Sequence, residues 1–137
     1  MATTQSVAIV GAGMAGASAA AALHKAGLAV TLFELRRGPS GRMSTRRTDH
    51  WQADHGAQYF TAKSPAFQAE VQTWCQEGWA ALWKGRIAKL DLIKGRPQGK
   101  EDSTQDNLVF EPTTPSPRYV GTPRMTSIVA SMLAPLA

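Results

Sequence analysis

Cysteine is almost missing from this chain: Cys75 stands alone among 137 residues. One thiol can form neither an internal disulfide nor a thiolate-rich metal site. Next to Trp74 on an expected helix, it reads as a packing residue and is assigned no role. Histidine is scarce as well; His24, His50 and His55 show no metal-ligand spacing, so no metal is expected. Long apolar runs are absent. The longest, near residues 15–23, is alanine-rich and falls short of the roughly 20 apolar residues needed to cross a bilayer, so no membrane span is expected. Residues 1–6 carry neither the basic start nor the apolar core of a secretory signal, which reads as a cytoplasmic chain. No Ser-His-Asp set or pair of catalytic carboxylates is evident, so the catalytic residues stay unassigned.

Charge is sparse but uneven. Charged residues make up 18% and hydrophobic ones 43%, the balance of a folded globular protein rather than a disordered one. The length allows one ordinary domain with a sizeable core. The formal charge is +5, and five arginines (Arg36, Arg37, Arg42, Arg46 and Arg47) of the 15 basic residues fall within one short segment. No stacking aromatics interleave with them, and no helix-turn-helix or zinc-finger spacing occurs, so no nucleic-acid partner is expected.

What is present is strongly patterned at the start. The apolar run at residues 7–10 predicts a first strand, buried on both faces in a parallel sheet. Residues 14–26 are dominated by alanine, with Lys25 in the last turn and Gly27 as a stop, which predicts a helix. Residues 28–33 return to strand formers and complete a parallel βαβ unit. Beyond a loop at Gly38, Pro39, Ser40 and Gly41, and a polar arginine-rich stretch to Asp49, a short strand is expected at 57–60. Ser64 and Pro65 start a second helix running to about Glu77, with Phe67, Val71 and Trp74 as its core stripe. Strands are expected at 79–83 and 87–93, joined as a hairpin at Gly85, and an exposed loop at 94–106. Further strands should start at Leu108 and at Arg118, before a final helix at 128–133 capped by Thr126 or Ser127.

Gly11, Gly13 and Gly16 form G-x-G-x-x-G directly after a strand and at the opening of a helix, with the acidic Glu34 at the end of the next strand. Each part has a physical task in holding a dinucleotide. Gly11 allows the tight turn, Gly13 lets backbone approach a pyrophosphate, and Gly16 brings helix and strand together. The helix start, at Met14 and Ala15, offers N–H groups and a partial positive charge to phosphates. Glu34 is placed to accept the ribose hydroxyls and to repel the 2′-phosphate of NADP, with Leu35 and Arg36 beside it at the cofactor's edge. These residues alone leave FAD and NAD both open.

The next segment, Arg37-Gly38-Pro39-Ser40-Gly41-Arg42-Met43, resembles the second motif of the glutathione-reductase-like flavoproteins of the amine-oxidase type, with Ser40 standing for the first glycine of a G-G-R. Three further blocks resemble the renalase-type FAD-dependent oxidoreductases: Gly41-Arg42-Met43-Ser44-Thr45-Arg46-Arg47, Asp54-His55-Gly56-Ala57-Gln58-Tyr59-Phe60, and Arg118-Tyr119-Val120-Gly121-Thr122-Pro123-Arg124-Met125. The resemblance implies an α/β Rossmann-like FAD/NAD(P)-binding fold of glutathione-reductase type. Residues 1–62 would form the FAD-binding part, and 63–137 would lead into an antiparallel substrate domain. It implies FAD as cofactor, with Gly41, Arg42 and Met43 at the pyrophosphate and Gly56, Ala57 and Gln58 near the flavin ring. The implied activity is oxidation of a reduced nicotinamide nucleotide, or an amine, with electrons passing to oxygen. Relatives of this kind are about twice as long or more, so the chain is expected to be an N-terminal portion that a second polypeptide could complete. Two parallel strands without covering neighbours would leave apolar surface exposed. The alternatives are an NAD-dependent Rossmann enzyme and a nucleotide-binding fragment without catalysis.

Overall fold

In the computed structural model the described residues are 5–85, 88–92, 108–112 and 116–136. They fall into two compact units, Met1–Trp83 with Pro117–Ala137, and Lys84–Ser116. The boundary expected at residue 62 lies inside the first of them, and the expected loop at 94–106 lies outside the described residues.

In the first unit, β1 (Ser6–Val10) pairs parallel with β2 (Ala29–Phe33), Val7 opposite Val30 and Val10 opposite Phe33. Helix α1 (Met14–Lys25) connects them and ends at Gly27, whose φ of +82° stops it in the left-handed region. Ala17 and Ala20 are fully buried along α1, where small side chains let it approach α3 (Thr126–Leu133). The expectation that the first strand is buried on both faces does not hold. Along both strands exposed and half-buried residues alternate. Val7, Ile9, Val30 and Leu32 point to the half-buried side, whereas Val10 is 89% exposed and Phe33 55%. A parallel sheet needs cover on both faces, and these two strands have it on one.

Two short strands follow where only a polar stretch was expected. β3 (Thr45–Arg47) and β4 (Gln52–Asp54) form an antiparallel hairpin, Thr45 opposite Asp54. Thr48 ties the turn, its Oγ1 accepting from the Trp51 N–H at 3.1 Å. The strand expected at 57–60 is β5 (Phe60–Thr61), shifted to the end of that range. Helix α2 (Pro65–Gln76) begins as expected: Ser64 Oγ accepts from the Phe67 N–H at 3.3 Å, and Pro65 occupies the first turn, where a missing N–H costs nothing.

The antiparallel sheet places β9 (Arg118–Gly121) between β5 and β6 (Ala80–Leu82). This corrects the hairpin expected at Gly85, since β6 pairs with β9 and not with the strand that follows it. That strand, β7 (Ala88–Leu92), belongs to the second unit and pairs antiparallel with β8 (Leu108–Pro112), Ala88 opposite Pro112.

The core of the first unit is Val71 and Trp74 of α2, Ala80 of β6, Met125 and Ile128. Phe60 joins it through Tyr119, Trp74 and Phe67 at ring-centroid distances of 5.7, 6.0 and 6.1 Å. Cys75 packs half-buried against this cluster, and desolvation pushes its thiol pKa up, as suits an inert packing residue. No helix among the described residues is long and apolar enough to cross a membrane.

Candidate functional site

The site is built on the turn between β1 and α1. Gly11 sits at φ +96°, a left-handed conformation that side chains resist, and its N–H reaches the Phe33 carbonyl at 2.8 Å, locking the end of β1 to the end of β2. A Cβ on Gly16 would lie 1.9 Å from the Gly11 carbonyl oxygen and 3.5 Å from Ile9 Cγ2. The tightest constraint on Gly16 is therefore the turn itself, with the strand behind it. Gly13 is the cap residue of α1, with no side-chain acceptor on the helix amides and no acidic residue in the first turn. The helix start thus presents backbone N–H groups at Gly13, Met14 and Ala15 without an internal anion. Ala15 is exposed, whereas the Met14 side chain is half-buried and packs against the core.

Glu34 turns back onto this loop. Its Oε2 accepts from the Ala12 N–H at 2.8 Å and its Oε1 from the Arg36 N–H at 2.9 Å. A carboxylate has about four acceptor sites, so both oxygens keep capacity for further donors. The hydrogen bond from Arg36 first, then that from Ala12, hold the Glu34 pKa below its ordinary 4.5 against a smaller opposing effect of burial. Because the folded value lies below the unfolded one, this grip stabilises the fold above about pH 4.5 and is lost as pH falls through the folded value. Thermal unfolding followed by circular dichroism should therefore show the wild-type midpoint falling more steeply below that pH than the Glu34→Gln midpoint. Superimposable profiles would contradict the grip. Leu35 is fully exposed and Arg36 exposed, so they contribute backbone to the rim rather than enclosing walls.

The loop expected to meet the pyrophosphate lies directly against the glycine turn. Gly13 and Ser40 form an isolated parallel bridge, and a Cβ on Gly41 would stand 3.2 Å from the Gly13 Cα. Residues Gly41–Met43 make one turn of 3-10 helix, closed by the Met43 N–H on the Ser40 carbonyl at 3.0 Å. Met43 packs against the core, and the Arg42 side chain is exposed. The Asp54–Phe60 block then meets the Gly41–Arg47 block: the Ala57 N–H donates to the Arg42 carbonyl at 2.9 Å, and a Cβ on Gly56 would fall 2.0 Å from that same oxygen. Gly13, Gly41, Arg42, Gly56 and Ala57 thus form one continuous backbone surface. Gln58 is exposed, and no hydrogen bond ties its side chain into that surface among the described residues.

The contacts of three residues are not legible in the sequence. Ser40 is buried at the bridge to Gly13. Ser44 Oγ lies 3.1 Å from His55 Nε2, joining the Gly41–Arg47 block to the Asp54–Phe60 block. Asp54 is the hinge of the arrangement, accepting from the Thr45 hydroxyl and, at 3.2 Å, from the N–H of Met125 at the start of α3. The cap expected from Thr126 or Ser127 is thereby replaced by a carboxylate 71 residues away, and α3 starts at Thr126. Asp54 was visible only as the acidic head of a motif; nothing local marks its partner.

A βαβ unit with a glycine turn, an uncapped helix start and an acidic residue at the next strand's end defines a Rossmann-like nucleotide-binding domain. Residues 9–75 match the family described as the NAD(P)-binding Rossmann-like domain. Among solved structures the chain is similar to putrescine oxidase. A single-substitution variant is 30% identical with a TM-score of 0.50, covering 67% of this chain and 20% of that one. The wild type bound to putrescine is 28% identical with a TM-score of 0.51, covering 76% and 24%. A triple variant is 30% identical with a TM-score of 0.52, covering 76% and 23%. The chain therefore spans about a fifth to a quarter of the length of those oxidase chains.

Proposed function

We propose that the chain carries the ADP-binding part of an FAD-dependent oxidoreductase of renalase or amine-oxidase type. The observation that supports this best is the apposition of the glycine turn, the Ser40–Gly41–Arg42 loop and the Gly56–Ala57 segment. Tight glycine contacts leave no room for side chains between these loops, so what they offer a ligand is backbone. A lone dinucleotide turn would need only the first of the three. The N–H groups at Gly13, Met14 and Ala15 would hold the pyrophosphate, Arg42 would add a planar fork of donors, and Glu34 would accept the ribose hydroxyls. Gly56, Ala57 and Gln58 would continue that surface toward the flavin ring. FAD held there would supply the redox chemistry, hydride acceptance from a reduced substrate and electron transfer to oxygen. The protein's task is to orient and to exclude water. The substrate would be a small molecule, a reduced nicotinamide nucleotide or an amine.

The bare face of β1 and β2 fits the same reading, with further polypeptide, in cis or in trans, covering Val10 and Phe33. The test is equilibrium binding of FAD to the purified chain, followed by oxygen consumption with reduced nicotinamide isomers and with putrescine. Saturable FAD binding that Glu34→Lys weakens by about tenfold or more supports the reading, given the usual strength of hydrogen bonds to charged groups. Tighter binding of NAD than of FAD would instead favour a nicotinamide-dependent Rossmann enzyme.

A further inference from the structure

The outer side of the antiparallel sheet carries a cluster that neither the glycine turn nor the core uses. Strand β9 alternates: Tyr119 packs against Phe60 and the core, so Arg118 projects from the opposite side of the sheet. There its guanidinium carbon stands 4.5 Å from the centroid of the Tyr59 ring. Trp83 completes the group, its ring centroid 5.8 Å from that of Tyr59. The backbone holds the pieces in place, because the Trp83 N–H donates to the Arg118 carbonyl at 2.8 Å. Both rings nevertheless remain well exposed, Tyr59 at 39% and Trp83 at 43%.

Two large rings exposed side by side beside a cation offer a surface that a ligand can cover, and the chemistry of this trio selects which. A guanidinium over an aromatic ring still has its fork of N–H donors to offer, and that fork matches a carboxylate or phosphate. The adjacent indole offers a stacking surface for a flat ring. A cationic amine would meet Arg118 as a like charge, so this surface is ill suited to a diamine. We propose that Tyr59, Trp83 and Arg118 form a binding site for a small molecule in which a flat ring carries a carboxylate or a phosphate. The inference stands on the sheet alone and does not depend on FAD occupying the glycine turn.

Calorimetric titration of the full chain with four probes tests it: indole-3-acetate, tryptamine, uridine 5′-monophosphate and putrescine. Indole-3-acetate and tryptamine share a ring and differ in the sign of their charge. At least one of the two anions should bind saturably, and tryptamine and putrescine about tenfold more weakly or not at all, a difference typical of reversing one charge near a protein surface. Which anion binds more tightly separates a carboxylate ligand from a phosphate one. Arg118→Gln should abolish the preference for the anion, Arg118→Lys should restore part of it, and Trp83→Ala should remove binding of both rings. Trp83→Phe, which keeps a flat face, serves if Trp83→Ala does not fold by circular dichroism, and should retain part of the binding. Absence of anion binding, tryptamine binding as tightly as indole-3-acetate, or a signal lost in Glu34→Lys but intact in Arg118→Gln would each overturn the proposal, the last by assigning it to the glycine turn.

Discussion

Replacing Gly16 with valine is expected to abolish nucleotide binding and to destabilise the first unit together. The new Cβ would lie 1.9 Å from the Gly11 carbonyl oxygen, a backbone atom that cannot rotate away. Relief requires α1 to lift from the turn, which breaks the closure made by the Gly11 N–H on the Phe33 carbonyl and draws Ala12 away from Glu34. Overpacking of this kind costs about 1–3 kcal/mol and sometimes more. Here the displaced groups are also the proposed phosphate donors, so affinity should fall even if the fold survives. Urea denaturation and FAD titration on the same preparation separate the two effects. A Gly16→Val protein with wild-type stability and wild-type affinity would mean that the turn is not built as described.

Truncating Trp74 to alanine should cost the most stability of any single core change, about 3–5 kcal/mol. Trp74 is 2% exposed, meets Phe60 and Phe67 edge-on at 6.0 and 5.7 Å, and donates from Nε1 to Glu70 at 2.9 Å. A loss of that size consumes much of the roughly 5–15 kcal/mol that holds a typical domain together. Phe67→Ala, at a residue 36% exposed on the same helix, provides the comparison and should lose distinctly less. Equal losses at the two positions would place the core elsewhere than between α2, β6 and α3.

The parts of this molecule that were legible in its sequence are those whose partners lie nearby in the chain. The glycine turn, the alanine helix and the return strand each answer to a local rule, and Glu34 marks the end of the second strand by position. Ser64 and Pro65 likewise mark the start of α2 through one short hydrogen bond. What escaped depends on distant partners. The hairpin of β3 and β4 is polar but for Ala53, and Thr45 on Asp54 holds it in place of an apolar face. Proximity suggested that the strands flanking Gly85 pair with each other. In the fold β6 finds β9 across the whole second unit, because Tyr119 of β9 belongs with Phe60 and the core. Capping of α3 by Asp54 is illegible for the same reason. At the site, the glycines were readable as backbone signals, but the contact of Gly13 with Gly41, and of Gly56 with the Arg42 carbonyl, belongs to three-dimensional packing.

The central functional proposal is that residues 7–34, with Arg42 beside them, hold the ADP half of FAD. Its most direct test is competition calorimetry on the purified chain with FAD, ADP, flavin mononucleotide and NADP. The account predicts that ADP displaces FAD, that flavin mononucleotide, which lacks the ADP half, binds far more weakly, and that NADP is rejected through its 2′-phosphate until Glu34 is replaced. Flavin mononucleotide binding as tightly as FAD, with ADP unable to compete, would contradict it.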